Sequence, residues 1–221
     1  YFTALYRKVT IRVKEDVEKG RFEDNARMER LDVVFAFRYI DAFHAWRAGK
    51  PTTHCWRIAF ENVTRWSPVV LQHMMLGMHA HILLDLGIAA AEVAPGAKLA
   101  ELEKDFRQVN DLLADTIDDV QEALAEVSPW ARLIDFVGGR NDELMVSFGL
   151  RVVRKFAWGS AGRVAGVDKN KLAAEIEALD REVAALAGLI ARPGLLLRLA
   201  LLVVRIREPR SVRRVIEILE L

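Results

Sequence analysis

The chain has 221 residues, of which 32 are basic and 31 acidic, so its formal net charge at neutral pH is +1. This length can bury a core without disulfides or structural metals, and the balanced charge excludes a general attraction of the whole surface to nucleic acid or acidic lipid. The single cysteine, Cys55, excludes an internal disulfide. With no secretory segment at its start, the sequence favours a cytoplasmic protein in which Cys55 is a buried, inert thiol.

The first half of the chain has the start and stop signals of helices and almost none of the alternation typical of strands. Gly20 ends the first predicted helix, Asp24 can cap the second, and Gly49-Lys50-Pro51 ends it. Ser67-Pro68 reads as a cap followed by proline at the first helical position, so it predicts the start of a long helix. The four predicted helices cover residues 3–19, 24–48, 53–64 and 67–93.

The second half continues in the same way. Apolar side chains recur every three or four residues over 97–127, which predicts one helix face turned toward a core. Further helices are predicted from Ser128-Pro129 to Gly138-Gly139, from Asn141 to about Gly159, after Asp168, and as two last helices bracketed by Pro193-Gly194 and Glu208-Pro209.

These signals predict an all-α protein, a single bundle of about eight to ten helices around a central, buried, histidine-bearing helix. Residues 1–166 would form a helical core domain. Residues 167–221 would form a C-terminal hairpin and short helices packed on or beside it.

The central helix is apolar enough to raise the question of a membrane span. No Asp, Glu, Lys or Arg occurs between Trp66 and Leu84. A transmembrane helix needs about 18 or more consecutive residues that are mostly apolar and carry few or no charges. Gln72 and three histidines lie in or at the end of this stretch, and Asp85 follows it directly. Polar groups at these positions favour a helix buried in protein, so we expect no transmembrane span.

Residues 73–85, HMMLGMHAHILLD, contain the three histidines of this helix. At about 100° per residue, His73, His81 and Asp85 share one face, whereas His79 points about 160° away from His81. His73 and His81 are also separated by about 12 Å along the axis, too far for one metal ion. His81 and Asp85, four residues apart, are the pair that can meet.

Two interpretations of this pair remain open. The carboxylate of Asp85 orients the imidazole of His81 for catalysis or for a metal, or the two form a satisfied pair in the core. Arg38 and Asp41 on the second helix are candidate partners, as an intrahelical ion pair or as part of a site. Gly77 and Gly87 would let another helix approach closely, since glycine otherwise costs a helix about 1 kcal/mol.

The C-terminal sequence RIREPRSVRRVIEIL places five arginines beside apolar residues. It is compatible with a peripheral membrane or nucleic-acid surface. The default interpretation is a solvated helix end whose arginines neutralise Glu208 and Glu217, and we expect no nucleic-acid partner.

The segment LQHMMLGMHAHILLDLGIAAAE resembles the signature of a mostly bacterial family of all-helical proteins of unknown function, in which a histidine, a glycine and N-A-H-I lead into D-L. The likeness extends over roughly residues 2–165, through FTALYRKVT, MERLDVVFAFRYIDAF, KDFRQVN, SPWARLIDFVGGR and RVVRKFAWGSA. His79 stands where the family usually has asparagine. The resemblance implies a compact helical domain and, by position, draws attention to His73, His81, Asp85, Arg38, Asp41 and Arg151.

The leading hypothesis is a metal-assisted or acid/base hydrolase with a polar pocket around His81 and Asp85. Arg38 completes the candidate catalytic set, and His73, Asp41 and Arg151 are candidates for binding a small-molecule substrate. A divalent metal, if bound, would use His81, Asp85 and Asp41. The alternatives are a non-catalytic module that binds an apolar small molecule, and a scaffold that forms homodimers through its C-terminal helices.

Overall fold

The computed structural model describes residues 1–109, 126–128 and 142–220, with side chains from 152 onward in the last range. All regular structure in these residues is helical, which confirms the all-α bundle. The first part contains α1 (Phe2–Glu18), α2 (Asn25–Arg47), α3 (His54–Val63), α4 (Val70–Met78), a π-helical segment (His79–Asp85) and α5 (Leu86–Val93). After a short 3-10 turn (Gly96–Lys98) come α6 (99–109), α7 (Asp142–Ala165), α8 (Leu172–Ala191), α9 (Leu195–Arg207) and α10 (Val212–Glu220).

Most of the predicted boundaries hold to within a residue or two. Gly20 and Gly49 follow the ends of α1 and α2 with φ of 68° and 67°, a left-handed conformation that glycine adopts without strain. The side chain of Asp24 caps α2 by accepting the backbone N–H of Arg27 at 2.9 Å. The helix predicted between Ser128-Pro129 and Gly138-Gly139, and most of residues 110–127, lie outside the described residues.

Three boundaries differ from the sequence prediction. The central helix begins at Val70 rather than at Ser67-Pro68, and α7 continues through Gly159 to Ala165. α8 begins at Leu172, because the backbone carbonyl of Asp168 accepts the N–H of Lys171 in a turn before the helix. One glycine lowers helix stability by only about 1 kcal/mol, so Gly159 alone does not end α7.

The N-termini of three helices are capped by buried carboxylates from distant parts of the chain. Asp105 accepts backbone N–H groups at the start of α2, Asp180 at the start of α3, and Glu208 at the start of α4. Asp180 bonds to the N–H groups of His54 and Cys55 at 2.6 and 3.0 Å. Carboxylates at these positions satisfy amides that have no partner within the helix and complement its dipole. Cys55 is buried as predicted, and burial raises the pKa of its thiol.

The central helix, Val70–Val93, contributes to three apolar clusters. Leu84 packs with α3 and α8, Ala90 packs with α2, α6 and α7, and Met74 packs with α1 and α10. Among the described residues, Val70–Val93 is the single helix long and apolar enough to cross a membrane. The pair α8 and α9, bent by 63° at the break between them, is a further candidate. The most apolar window of Val70–Val93 is 78% buried inside the bundle.

Two glycines allow neighbours to approach the central helix, as predicted. A Cβ atom on Gly77 would lie 2.4 Å from Cγ of Phe2 on α1. A Cβ atom on Gly87 would lie 2.9 Å from the backbone oxygen of Ala157 and 3.2 Å from the backbone nitrogen of Ala161, both on α7. Because backbone atoms cannot swing aside as side chains do, the close packing of α5 on α7 depends on glycine at position 87.

We expect Gly87→Ala to destabilise the protein by about 1 to 3 kcal/mol, since the added methyl group overpacks the contact between α5 and α7. Gly159→Ala is the matched control, because Gly159 is an exposed glycine within α7 with no atom near its would-be Cβ. That control should raise stability by about 0.4 to 1 kcal/mol. Urea unfolding of both variants measures the two changes, and equal effects of the same sign would contradict the packing argument.

Candidate functional site

The π-helical segment carries the candidate pair. His79–Asp85 adopts a π-helix in the middle of the otherwise α-helical Val70–Val93. Such wider turns are rare, occur mostly as single insertions in α-helices and are frequent at functional sites. Within this segment, Nδ1 of His81 lies 3.2 Å from Oδ2 of Asp85. The spacing of four residues therefore does bring the imidazole and the carboxylate together.

Asp85 is the centre of a buried hydrogen-bond network. Besides His81, its Oδ2 accepts the indole N–H of Trp56 on α3 at 2.8 Å, and its Oδ1 accepts Nε–H of Arg38 on α2 at 3.0 Å. The carboxylate is 1% exposed, and the Arg38 side chain is 24% exposed. A buried carboxylate is tolerable only with partners of this kind, because an unpaired one would lose its hydration without compensation.

The environment of His81 fixes its charge and its tautomer. Burial lowers the pKa of the imidazole, and this effect outweighs the hydrogen bond and charge of Asp85, which raise it. The ring is therefore neutral at neutral pH, and its Nδ1–H donates to the carboxylate. Nε2 then carries a lone pair, and this buried nitrogen has no hydrogen-bond partner in the described part of the chain.

Aromatic side chains enclose the imidazole on several sides. The ring of Phe35 stacks on it with centroids 3.6 Å apart and planes inclined by 7°, and Tyr6 meets it edge-on at 4.5 Å. The centroids of three further rings lie 5.5 to 6.2 Å from it: Phe2, Trp56 and Tyr39. This shell shields the imidazole from bulk solvent and restricts its orientation.

Not all residues singled out in the sequence join this network. Asp41 is exposed on α2, and no contact is seen between it and either His81 or Asp85. His73 lies elsewhere, with its ring 5.8 Å from that of Tyr1. The side chain of Arg151 lies outside the described residues.

Of the three proposed metal ligands, two lie side by side and the third lies apart. His81 and Asp85 are hydrogen-bonded to each other, whereas Asp41 does not join them. Across the described residues, no group of three or more His, Cys, Asp or Glu side chains is placed to hold a metal ion. Both oxygens of Asp85 already accept hydrogen bonds, so the chemistry open to this site is that of the imidazole itself.

Sequence reasoning missed the residues that complete the site. Trp56 is a buried core residue whose indole N–H also holds Asp85. Phe35 and Tyr6 showed no sequence signal that linked them to His81. These partners come from three other helices, so no helical spacing reveals them.

His73 and His79 are also kept uncharged by burial. Burial lowers the pKa of His73 to about 4, with smaller contributions from the positive charges of Arg205 and the N-terminus. Burial also lowers the pKa of His79. Burial thus holds all three histidines of the central helix in the neutral form at neutral pH.

We expect His73 to make the protein less stable in acid. Its pKa in the folded state, about 4, is below the value of about 6.5 in the unfolded chain, so the unfolded state binds more protons as the pH falls from 6.5 to 4. Relative to His73→Gln, the wild type should lose free energy of unfolding over that range.

Comparison with the variant isolates this effect, because Asp32, whose pKa burial raises to about 6, acts in the opposite direction over part of the same range. Urea unfolding at pH 7 and pH 4.5 gives the difference between the two proteins. A difference that does not change with pH would contradict the assignment.

Comparison with known proteins gives one match. A protein family described as a family of unknown function (DUF5995) matches residues 1–193. No curated protein and no solved structure matches the chain. Because the matched region includes α1 to α8 and the whole His81 network, the chain belongs to the DUF5995 family.

Proposed function

We propose that the protein is a cytoplasmic acid/base hydrolase in which His81 is the general base. The observation that carries the proposal is the buried, unpartnered Nε2 of a neutral histidine whose Nδ1–H is held by Asp85. An imidazole in this tautomer is ready to accept a proton at Nε2, and its carboxylate partner stabilises the positive charge that results.

The proposed step is activation of a water molecule. Nε2 of His81 takes one proton from the water, the oxygen attacks the electrophilic carbon or phosphorus of an ester, and the proton then passes to the leaving oxygen. Asp85 keeps its own charge throughout and stabilises the imidazolium between the two transfers. The surrounding rings support this role, since electrostatic interactions are stronger where water is excluded.

Arg38 suggests the substrate class. Its Nε–H binds Asp85 while the side chain extends from the buried network toward solvent. No partner is seen for its two terminal nitrogens among the described contacts. A guanidinium group in this position suits an anionic group of the substrate, so the proposal favours a small ester that carries a carboxylate or phosphate.

Access to His81 would run between α1 and α2. Of the rings around the imidazole, Phe2 and Trp56 are buried in the core, whereas Tyr6, Phe35 and Tyr39 are partly exposed. Tyr6 lies on α1, and the other two lie on α2 beside Arg38. Rotation of these half-buried rings would admit a substrate without disturbing the core side of the network.

We expect wild-type protein to hydrolyse at least one member of a panel of anionic and neutral p-nitrophenyl esters, and His81→Gln to lose about a hundredfold or more of that activity. His79→Gln is the matched control, because it removes a histidine of lowered pKa from the same segment, on the other side of the helix. It should retain activity. Circular dichroism establishes that both variants are folded, and equal rates in His81→Gln and wild type would rule out His81 as the base.

The pH profile of the wild type tests the same assignment without a variant. Since the pKa of His81 is below its ordinary value, the active, neutral form persists below pH 6.5. The ratio kcat/KM should therefore stay level from neutral pH to below 6.5 and fall only in more acid solution. A rate that rises with an apparent pKa above 7 would assign the base to another group.

A further inference from the structure

The C-terminal helix α9 exposes a continuous apolar stripe. Leu196, Leu199, Val203 and Ile206 follow each other at steps of three and four residues and are 53 to 85% exposed, and Leu195 extends the stripe at 72% exposed. On a helix these five residues fall within about 100° of arc. A contiguous exposed patch of large apolar side chains is typical of an interaction surface, so the stripe is a candidate site for binding an apolar partner.

Positive charge borders the stripe. Arg207 lies about 20° beyond one edge of it and Arg198 about 60° beyond the other, and both are exposed. Residues 192–221 contain seven arginines, three glutamates and no lysine or aspartate, a formal net charge of +4, whereas the whole chain has +1. One of the three glutamates, Glu208, is buried as the cap of α4. Arg205, Arg213 and Arg214 form ion pairs with glutamates, whereas Arg198 and Arg207 flank the apolar stripe and give it a positive border.

The face is held firmly by the bundle. Val204 on the opposite side of α9 is buried, and Glu208 at its end accepts the backbone N–H of Val70. Nε–H of Arg205 donates to the backbone oxygen of Trp66 at 2.8 Å. Trp66 is itself 58% exposed, which adds an aromatic ring of the kind that favours the boundary between lipid and water.

We propose that α9 is a docking surface for an anionic membrane. A helix that lies in the interface with apolar side chains inserted and arginines near the headgroups has this arrangement of residues. The DUF5995 match ends at residue 193, so the proposed surface lies beyond the region that defines the family. It is independent of the reaction proposed for His81.

Charge favours lipid over a second copy of the chain. A two-fold dimer through this face would bring the same arginine-rich surface of each copy together. Like charges brought together repel, and α9 itself contains no acidic residue to offset them. Phospholipids with negative headgroups, by contrast, supply both the apolar layer and the opposite charge.

Flotation of the full-length protein with vesicles tests the proposal. We expect binding to vesicles of phosphatidylcholine mixed with phosphatidylglycerol, weaker binding as salt is raised, and little binding to phosphatidylcholine alone. Arg198→Gln/Arg207→Gln should weaken binding by about thirtyfold, at about 1 kcal/mol for each of the two charges. Leu196→Ser/Leu199→Ser/Val203→Ser should abolish it.

The matched control is Val33→Ser/Phe37→Ser, which removes two exposed apolar side chains from α2, far along the chain from α9. This variant should bind vesicles as the wild type does. All substituted side chains are exposed, and thermal unfolding establishes that each variant is folded.

Two results would overturn the proposal. One is that the protein binds neutral vesicles as strongly as anionic vesicles, or binds neither kind. The other is a dimer, seen by light scattering, that the α9 serine variant dissociates, which would make the stripe an interface between two copies of the chain. Esterase activity of the same variants is independent of both results, so this proposal and that for His81 fail separately.

Discussion

The buried carboxylate of Asp85 accepts hydrogen bonds from side chains of three helices. Its partners are Arg38 from α2, Trp56 from α3 and His81 from its own helix. The bonds from the other two helices oppose rotation of the central helix about its axis, since a turn of one residue would carry the carboxylate away from Arg38 and Trp56. The apolar clusters around this helix are less selective, because leucine and alanine side chains pack in many arrangements. The network therefore favours the apolar packing in which Asp85 meets Arg38 and Trp56.

Buried carboxylates also accept hydrogen bonds at the N-termini of three helices. Asp105, Asp180 and Glu208 reach from distant parts of the chain to the N-termini of α2, α3 and α4. Each replaces water at amides that burial would otherwise leave unpaired. For Asp180, burial would raise the pKa of the carboxyl, but the hydrogen bonds from residues 54 and 55 outweigh burial and lower it. Folding of each capped helix is consequently coupled to the placement of a remote segment.

These long-range carboxylates also mark the limit of prediction from the sequence. The meeting of His81 and Asp85 follows from helical spacing, as does the divergence of His79, because both depend on one helix alone. The start of the central helix differs from that predicted at Ser67-Pro68. Gln72 accepts the N–H of Val69 there, but Glu208, which accepts the N–H of Val70, lies 138 positions along the chain and could not be predicted as a cap. The π-helical turn has no counterpart in the sequence pattern at all. Trp56 and Phe35 were unpredictable as site residues because their role depends on how separate helices cross.

The stability of the fold explains the presence of a carboxylate at position 85 better than it explains the presence of an imidazole at position 81. Arg38 and Trp56 would satisfy the carboxylate without a third donor, and an apolar side chain at position 81 would fill the aromatic shell without placing a polar nitrogen there. The histidine instead leaves Nε2 buried and unpartnered in the described structure, which costs about 1 to 3 kcal/mol for a polar group of this kind. Buried ionic networks are often no more stable than apolar replacements of the same shape. Packing does not explain an imidazole with one nitrogen held by Asp85 and the other unpartnered, and this is the arrangement that proton transfer requires.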